Sequence, residues 1–300
     1  MSLTPVMDKC LKELSSMKTG GKAKRAYFPE DSKELCEIIK SFAENGEKYL
    51  VLGNMSNLLV PDEGFDIPVV ITTGMKGIKV VSETDEIITV YAESGVSVTK
   101  LSYDMCKEGL SGLEFAYGIP GTVGGAVYMN AGAYGGEIKN VVTKVYAVDL
   151  MGNEKEFLCD ECGFDYRKSV FMNGGFVITG AEFTLKKSDK EKCLSEAKEL
   201  MDKRIDKQPL EYPSCGSTFK RPEGFFAGKL IEDCSLKGFG LGGAYVSEKH
   251  AGFVINKCDA TTDDVIKLMK YIREKVKENF DVTLEPEIKL YNNMGDNVEL

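Results

Sequence analysis

The sequence predicts an α+β fold in two domains, or one domain with a substantial added lobe. Helical and strand periodicities alternate along the chain, and 300 residues exceed what one small core organises. The composition also shifts at Gln208-Pro209, directly after a highly charged helical stretch, so the boundary is placed there: 1–207 and 208–300.

In chain order, Glu30-Asp31-Ser32 precedes Leu35, Ile38, Ile39 and Phe42, a helical face that stops at Asn45-Gly46. YLVLG (49–53) follows as a short buried strand. Between 67 and 93 the β-branched runs IPVVITT, IKVVS and IITVYAES predict strands separated by glycine or acidic turns. Ser97 to Lys107 reads as a helix with Val98, Leu101, Met105 and Cys106 inward and Gly109 as its stop. Strand patterns return at 141–149 and 176–185, and the charged helix spans about 189–206. Beyond Pro209, AGKLIEDCSLKG is a short helix capped by Gly238. Thr261-Thr262-Asp263-Asp264 is a capping-box-like start for a helix to about 280, whose apolar stripe is Val265, Leu268, Met269, Ile272 and Val276. TLEPEIKLY is expected to close the fold as a strand.

Several function classes are excluded. The apolar share (43%) and charged share (28%) are ordinary for a globular protein, and no apolar run reaches membrane-spanning length. The N-terminus is amphipathic without a signal-peptide core, so a cytoplasmic location is expected. A net charge of −9, with no basic stripe interleaved with aromatics, argues against nucleic acid as a partner. Nine scattered cysteines read as reduced thiols. Cys159 and Cys162 have CxxC spacing but no second pair or nearby histidine, so no metal is expected and a turn is the reading. One histidine, His250, leaves little room for a hydrolytic triad.

Two segments concentrate glycine and small polar residues: Gly53-Asn54-Met55-Ser56-Asn57-Leu58, and the stretch from Tyr117 to Glu137 with its seven glycines. Glycine destabilises helices and strands, so such clusters need a compensating use: tight turns, amides converging on an anion, or a flat ring lying on the main chain. Neither segment is GxGxxG or GxxxxGK[ST], which removes the common dinucleotide and P-loop readings. Gly20-Gly21-Lys22-Ala23-Lys24 has the wrong spacing for a phosphate loop. From residues alone, ligand cradle and plain turns stay equally open.

MKTGGKA (17–23), VLGNMSNLLV (51–60), the glycine-rich segment 109–138, YRKSVF (166–171), CGSTFKRP (215–222), AGKLIEDCSLKG (227–238), SEKHAGFVIN (247–256) and LEPEIKL (284–290) occur in order. Together they resemble the UDP-N-acetylenolpyruvoylglucosamine reductase family over almost the whole chain. The resemblance implies an FAD-binding domain of the vanillyl-alcohol-oxidase (PCMH) type followed by an α+β substrate-binding domain. It also implies non-covalent FAD, NADPH as reductant, and UDP-GlcNAc-enolpyruvate as the oxidised substrate entering the same cleft as NADPH. In that family the flavin is wrapped by the positions of Gly53–Leu58 and by a second stretch. Here the second stretch corresponds to Gly118, Ile119, Pro120, Gly121, Gly124, Gly125, Asn130, Gly132, Ala133 and Tyr134. Amides would meet the diphosphate, and glycines and alanines would leave room for the ring.

The implied reaction reduces an enol ether bearing a carboxylate. It needs donors on the carboxylate and an acid for the carbon, while the flavin supplies hydride. Arg167 matches the family's carboxylate-holding position, where a guanidinium binds bidentately. Ser217 matches the proton donor, with Lys220 as a helper that stabilises the alkoxide. Glu287 matches the third catalytic position in preference to Glu285, because a β-branched apolar residue follows it. Tyr166, Arg167, Gly216, Lys220 and Lys229 are candidates for substrate contacts, and His250 for a packed structural role. Cys215 adjoins the proposed acid.

Two departures stand out. Met55 occupies a position where the commoner family form has glycine. The run from Phe171 to Gln208 is too short for the inserted tyrosine loop of one family branch, which assigns this chain to the branch without it. The rival readings are an oxidase of the same fold passing electrons to oxygen, and a flavin-binding module without catalysis. Oligomeric state is not readable from the sequence.

Overall fold

The computed structural model describes residues 4–300, and they gather into two compact units that interleave along the chain. The first comprises 27–54 and 70–204 together with Thr4 and Pro5, and the second comprises 6–26, 55–69 and 205–300. The last crossing between units falls between Arg204 and Ile205, near the expected boundary at 208, whereas segments 6–26 and 55–69 pack in the second unit.

The first unit is built on an antiparallel sheet whose strands run in the order Glu154–Leu158, Val142–Asp149, Phe176–Lys187, Ile87–Glu93, Ile78–Glu83. Alternation works as expected on the central strands: Val90 and Ala92 pack with Val145, Ala147, Ala181, Phe183 and Leu185. The edge strand Ile78–Glu83 is exposed throughout. Helix α1 (Ser32–Glu44) starts where Asp31 accepts a hydrogen bond from the Glu34 amide, and it buries the expected Leu35, Ile38, Ile39 and Phe42. Helix α2 (Val98–Lys107) is capped by Ser97, and Gly109 follows its end at φ +70°.

The glycine-rich stretch holds an element that its composition concealed. Val123–Tyr128 forms a short helix, α3, whose N-cap Thr122 accepts from the Gly125 amide. The charged helix α4 runs over Lys190–Lys207.

The second unit packs two helices, α5 (Ala227–Asp233) and α6 (Thr262–Phe280), with the antiparallel strands Gly240–Leu241, Ala244–Val246 and Val254–Asn256. Thr261 and Asp264 form the predicted capping box, and the five stripe residues of α6 are fully buried. The N-terminal segment belongs here because its backbone meets this core: Asn256 Nδ2 donates to Met17 O at 3.0 Å, and Thr262 Oγ1 donates to Val60 O at 2.6 Å. Residues 6–10, read only as amphipathic, form a strand antiparallel to 22–26.

Two expectations are corrected. Helix α5 ends at Cys234 with Ser235 taking the left-handed position (φ +58°), while Gly238 lies beyond, its amide bonded to Val246 O. The closing segment is not a continuous strand: only Lys289–Leu290 pairs, parallel to Leu58–Leu59, and Glu285–Glu287 runs beside 218–220 through isolated contacts. Pro286 lacks the amide that a continuous ladder would use.

Candidate active site

The glycines of the first unit divide by what surrounds them. A Cβ on Gly53 would lie 2.5 Å from Thr122 Oγ1, on Gly124 2.8 Å from Ser94 Cβ, and on Gly132 2.7 Å from Gly136 O. Gly118, at φ +88°, would meet the side chains of Met201 and Arg204 at 2.7 and 2.9 Å. These positions need glycine for the protein's own packing rather than for open room. Gly125 and Gly135 do leave space: the first would meet only Thr122 Oγ1, at 3.5 Å, and the second nothing within 4 Å.

The amides at the start of α3 are already engaged. Val123 N donates to Val96 O, Gly124 N to Ser94 O, and Gly125 N to Thr122 Oγ1. An anion therefore finds no open donor at that helix start. The loop Gly53–Leu58 is different. Asn54 Nδ2 donates to Pro120 O at 2.9 Å, tying the loop to Ile119-Pro120-Gly121, while Met55 sits at φ +46°. A left-handed residue turns successive amides to one side, as in an anion nest, and the Met55 and Ser56 amides meet no acceptor among the described residues. The Met55 side chain is buried at 3% exposure, and its carbonyl accepts from Ser16 N.

The turn Asp165–Lys168 closes on itself by two backbone hydrogen bonds of 3.1 Å, with Tyr166 and Arg167 at its tip. Arg167 adopts φ +52°, an uncommon conformation for a side chain this large and one often found at functional positions. Its guanidinium donates to Gly132 O at 3.2 Å and lies 5.2 Å from the centre of the half-exposed Tyr166 ring. Asn130 pins this turn to the glycine-rich stretch. It is fully buried, donates to Asp165 O and Glu137 Oε2, and accepts from Lys139 N. Its side-chain amide is thereby occupied by the protein itself. Ser169 adds a second pin, donating to Tyr128 O at 2.7 Å. Ala133 pairs with Gly136, and the next residue, Tyr134, turns outward at φ +53°.

In the second unit, Ser217 is exposed between Gly216, at φ +74° with open space around it, and the buried Thr218. Thr218 is fixed on three sides: its amide donates to Gly252 O, its hydroxyl accepts from Val254 N, and its carbonyl accepts from Glu287 N at 2.9 Å. That last bond sets the backbone carrying Ser217 directly against the backbone carrying Glu287. Asn57 reaches the same segment, donating through Nδ2 to Glu287 O and accepting from Lys289 N at 3.0 Å. One residue of the first glycine-containing loop thus brackets Glu287.

Lys220, expected to assist Ser217, pairs with Glu285 at 3.1 Å in an exposed salt bridge. Lys229 is likewise exposed on α5 and paired with Asp233. Cys215 donates to Leu58 O, and burial pushes its thiol up to about 12, so it is inert rather than nucleophilic. Cys159 and Cys162 sit in one 3-10 turn as free thiols. His250 accepts from Gly252 N at 3.0 Å and packs edge-on against Phe253, with burial lowering its pKa.

Comparison with known proteins decides the family. Residues 208–291 match a family described as UDP-N-acetylenolpyruvoylglucosamine reductase, C-terminal domain, and residues 23–157 match an FAD binding domain. The UDP-N-acetylenolpyruvoylglucosamine reductase of Caldicellulosiruptor bescii is 45% identical over 94% of this chain and 89% of its own length. That of Enterococcus faecalis is 43% identical over 96% and 94%. The crystal structure of the Thermus caldophilus enzyme superposes with a TM-score of 0.79 at 32% identity, covering 97% of this chain and all of that one. The chain belongs to the UDP-N-acetylenolpyruvoylglucosamine reductase family. It is accordingly an FAD-dependent oxidoreductase, with an FAD-binding domain and an α+β C-terminal domain of this reductase family. Among the described residues no helix is long and apolar enough to cross a membrane.

The reductase fold also contains a residue that sequence reading missed. Arg204 is 6% exposed and lies where the inward stripe of α4 (Cys193, Ala197, Arg204) calls for an apolar side chain. The signal was present in that spacing, but an arginine in a helix with so many charges reads as solvated.

Proposed function

We propose that this chain reduces UDP-GlcNAc-enolpyruvate to UDP-N-acetylmuramate with NADPH, in the cytoplasm, as a step of peptidoglycan precursor synthesis. The observation that carries the reading is the Arg167 guanidinium held on Gly132 O, which puts a permanent cation against the stretch assigned to the flavin. Loop 53–58 fits FAD through the open amides of Met55 and Ser56, and the bed 118–134 through the room left at Gly125. FAD held there would supply hydride-transfer chemistry between NADPH and the enolpyruvyl group, the two reactants using the same cleft in turn. The domains that carry these tasks are 1–207 for flavin and 208–300 for substrate.

Arg167 orients the substrate carboxylate bidentately and absorbs the charge that grows on it as the adjacent carbon gains carbanion character. Ser217 gives its hydroxyl proton to that carbon. It is exposed on a backbone fixed at Thr218, which supports a reach to substrate without rearrangement. Glu287, bracketed by Thr218 O and Asn57, completes the catalytic set on the backbone beside Ser217. Tyr166, Gly216, Lys220 and Lys229 contact the nucleotide sugar, with the two lysines leaving their carboxylate partners for the diphosphate. Exposed pairs of this kind are screened by solvent and weak, so exchange is inexpensive.

The reading is tested by separating the half-reactions. Ser217→Ala is expected to keep the rate of flavin bleaching by NADPH and to lose at least about 100-fold in reoxidation by the enol ether, the scale of one general acid. Equal losses in both halves remove Ser217 from the proton-donor role.

A further inference from the structure

Arg204 lies outside both matched family segments, at the end of α4, yet its side chain reaches the glycine-rich stretch at two points. Its Cδ and Nε occupy the space beside Gly118 that a Cβ would enter, at 2.9 and 3.0 Å. Its guanidinium carbon lies 5.6 Å from the centre of the Tyr134 ring, within cation–π range. Gly118 and Tyr134 are the two ends of the bed assigned to FAD. A guanidinium this deeply buried is costly to desolvate, and burial does lower its pKa from the usual value. An apolar side chain would continue the stripe of α4 without that cost.

We propose that Arg204 is a flavin-binding residue whose guanidinium meets an anionic group of bound FAD across the bed between Gly118 and Tyr134. The inference rests on the reading that this chain binds FAD there. Two parts of FAD can carry the charge. The diphosphate is anionic in both redox states, whereas the ring gains negative charge only on reduction. A dry cation held in place before the cofactor arrives favours either one, because no protein reorganisation is required.

The test uses apoprotein of the full chain, Arg204→Met and Arg204→Gln, and two quantities that need no turnover. These are the dissociation constant for oxidised FAD, read from quenching of flavin fluorescence, and the midpoint potential of the bound flavin. With the diphosphate as the partner, both variants bind oxidised FAD at least about tenfold more weakly, the loss expected for one charge-assisted contact, at an unchanged potential. With the ring as the partner, affinity for oxidised FAD stays and the potential falls by about 30 mV or more, the two-electron equivalent of tenfold weaker binding of the reduced form. Either result supports the inference. The Arg204→Met apoprotein is expected to melt at or above the parent temperature, since replacing a buried charge by an apolar side chain is often neutral or stabilising. A lowered apoprotein melting temperature with parent-like FAD affinity and potential in the folded variants assigns Arg204 to packing alone and overturns it. If Arg204→Met fails to fold, the same two quantities in Arg204→Gln decide by the same criteria. Parent protein that binds no FAD would instead remove the underlying reading, which separates the two failures.

Discussion

Met55 and Arg167 show what single residues hold at this site. Both are non-glycine residues in the left-handed region, at φ +46° and +52°, and both lie on segments assigned to cofactor or substrate. At Met55 the strain is offset by a fully packed side chain. Glycine there would relieve about 1 kcal/mol of backbone strain but lose about 2–5 kcal/mol of buried packing. Met55→Gly is therefore expected to lower unfolding stability by a net ~1–4 kcal/mol. A denaturant midpoint at or above the parent value would show that the side chain contributes nothing. His250 adds a pH dependence with a definite sign. Its folded pKa lies below the ordinary 6.5, so as pH falls the unfolded chain takes up the proton first. Its contribution to stability is complete above 6.5 and is lost as pH drops from there toward the folded value. The melting temperature is expected to fall over that window in the parent and to fall less in His250→Gln; identical slopes would remove His250 as the source.

The helices were legible element by element because their signals are local. The caps Asp31, Ser97 and Thr261 and the stripe on α6 are where the sequence places them. Thr261→Ala should cost about 1 kcal/mol, since it removes the hydroxyl that accepts from Asp264 N, while the Asp264 carboxylate keeps its bonds from the backbone amides of residue 261 and Gly243. An unchanged melting temperature would mean the cap is supplied otherwise. What escaped sequence reading depends on contacts distant along the chain. Helix α3 was hidden by two glycines that lower helix propensity, and it is stabilised by Val96 O, Ser94 O and the sheet beneath it. The strand expected over TLEPEIKLY shortened because its neighbours, 218–220 and 57–59, meet it at only a few positions. At the site, the segments carrying Arg167, Ser217 and Glu287 were legible from their motifs. Lys220 shows the limit: its partner Glu285 lies 65 residues away, and nothing near Lys220 in the chain announces it.

On the scale of the whole molecule, Arg167 belongs to one compact unit and Ser217 and Glu287 to the other, and the chain crosses between units within loop 53–58 itself. The central claim is that the electrons go from NADPH to the enolpyruvyl group. The most direct test is an anaerobic titration of the purified flavoprotein: NADPH is added until the flavin band bleaches, then UDP-GlcNAc-enolpyruvate. The account predicts stoichiometric bleaching followed by rapid return of the band on adding the enol ether. A flavin that stays bleached until oxygen is admitted would contradict it and make the chain an oxidase on the same fold.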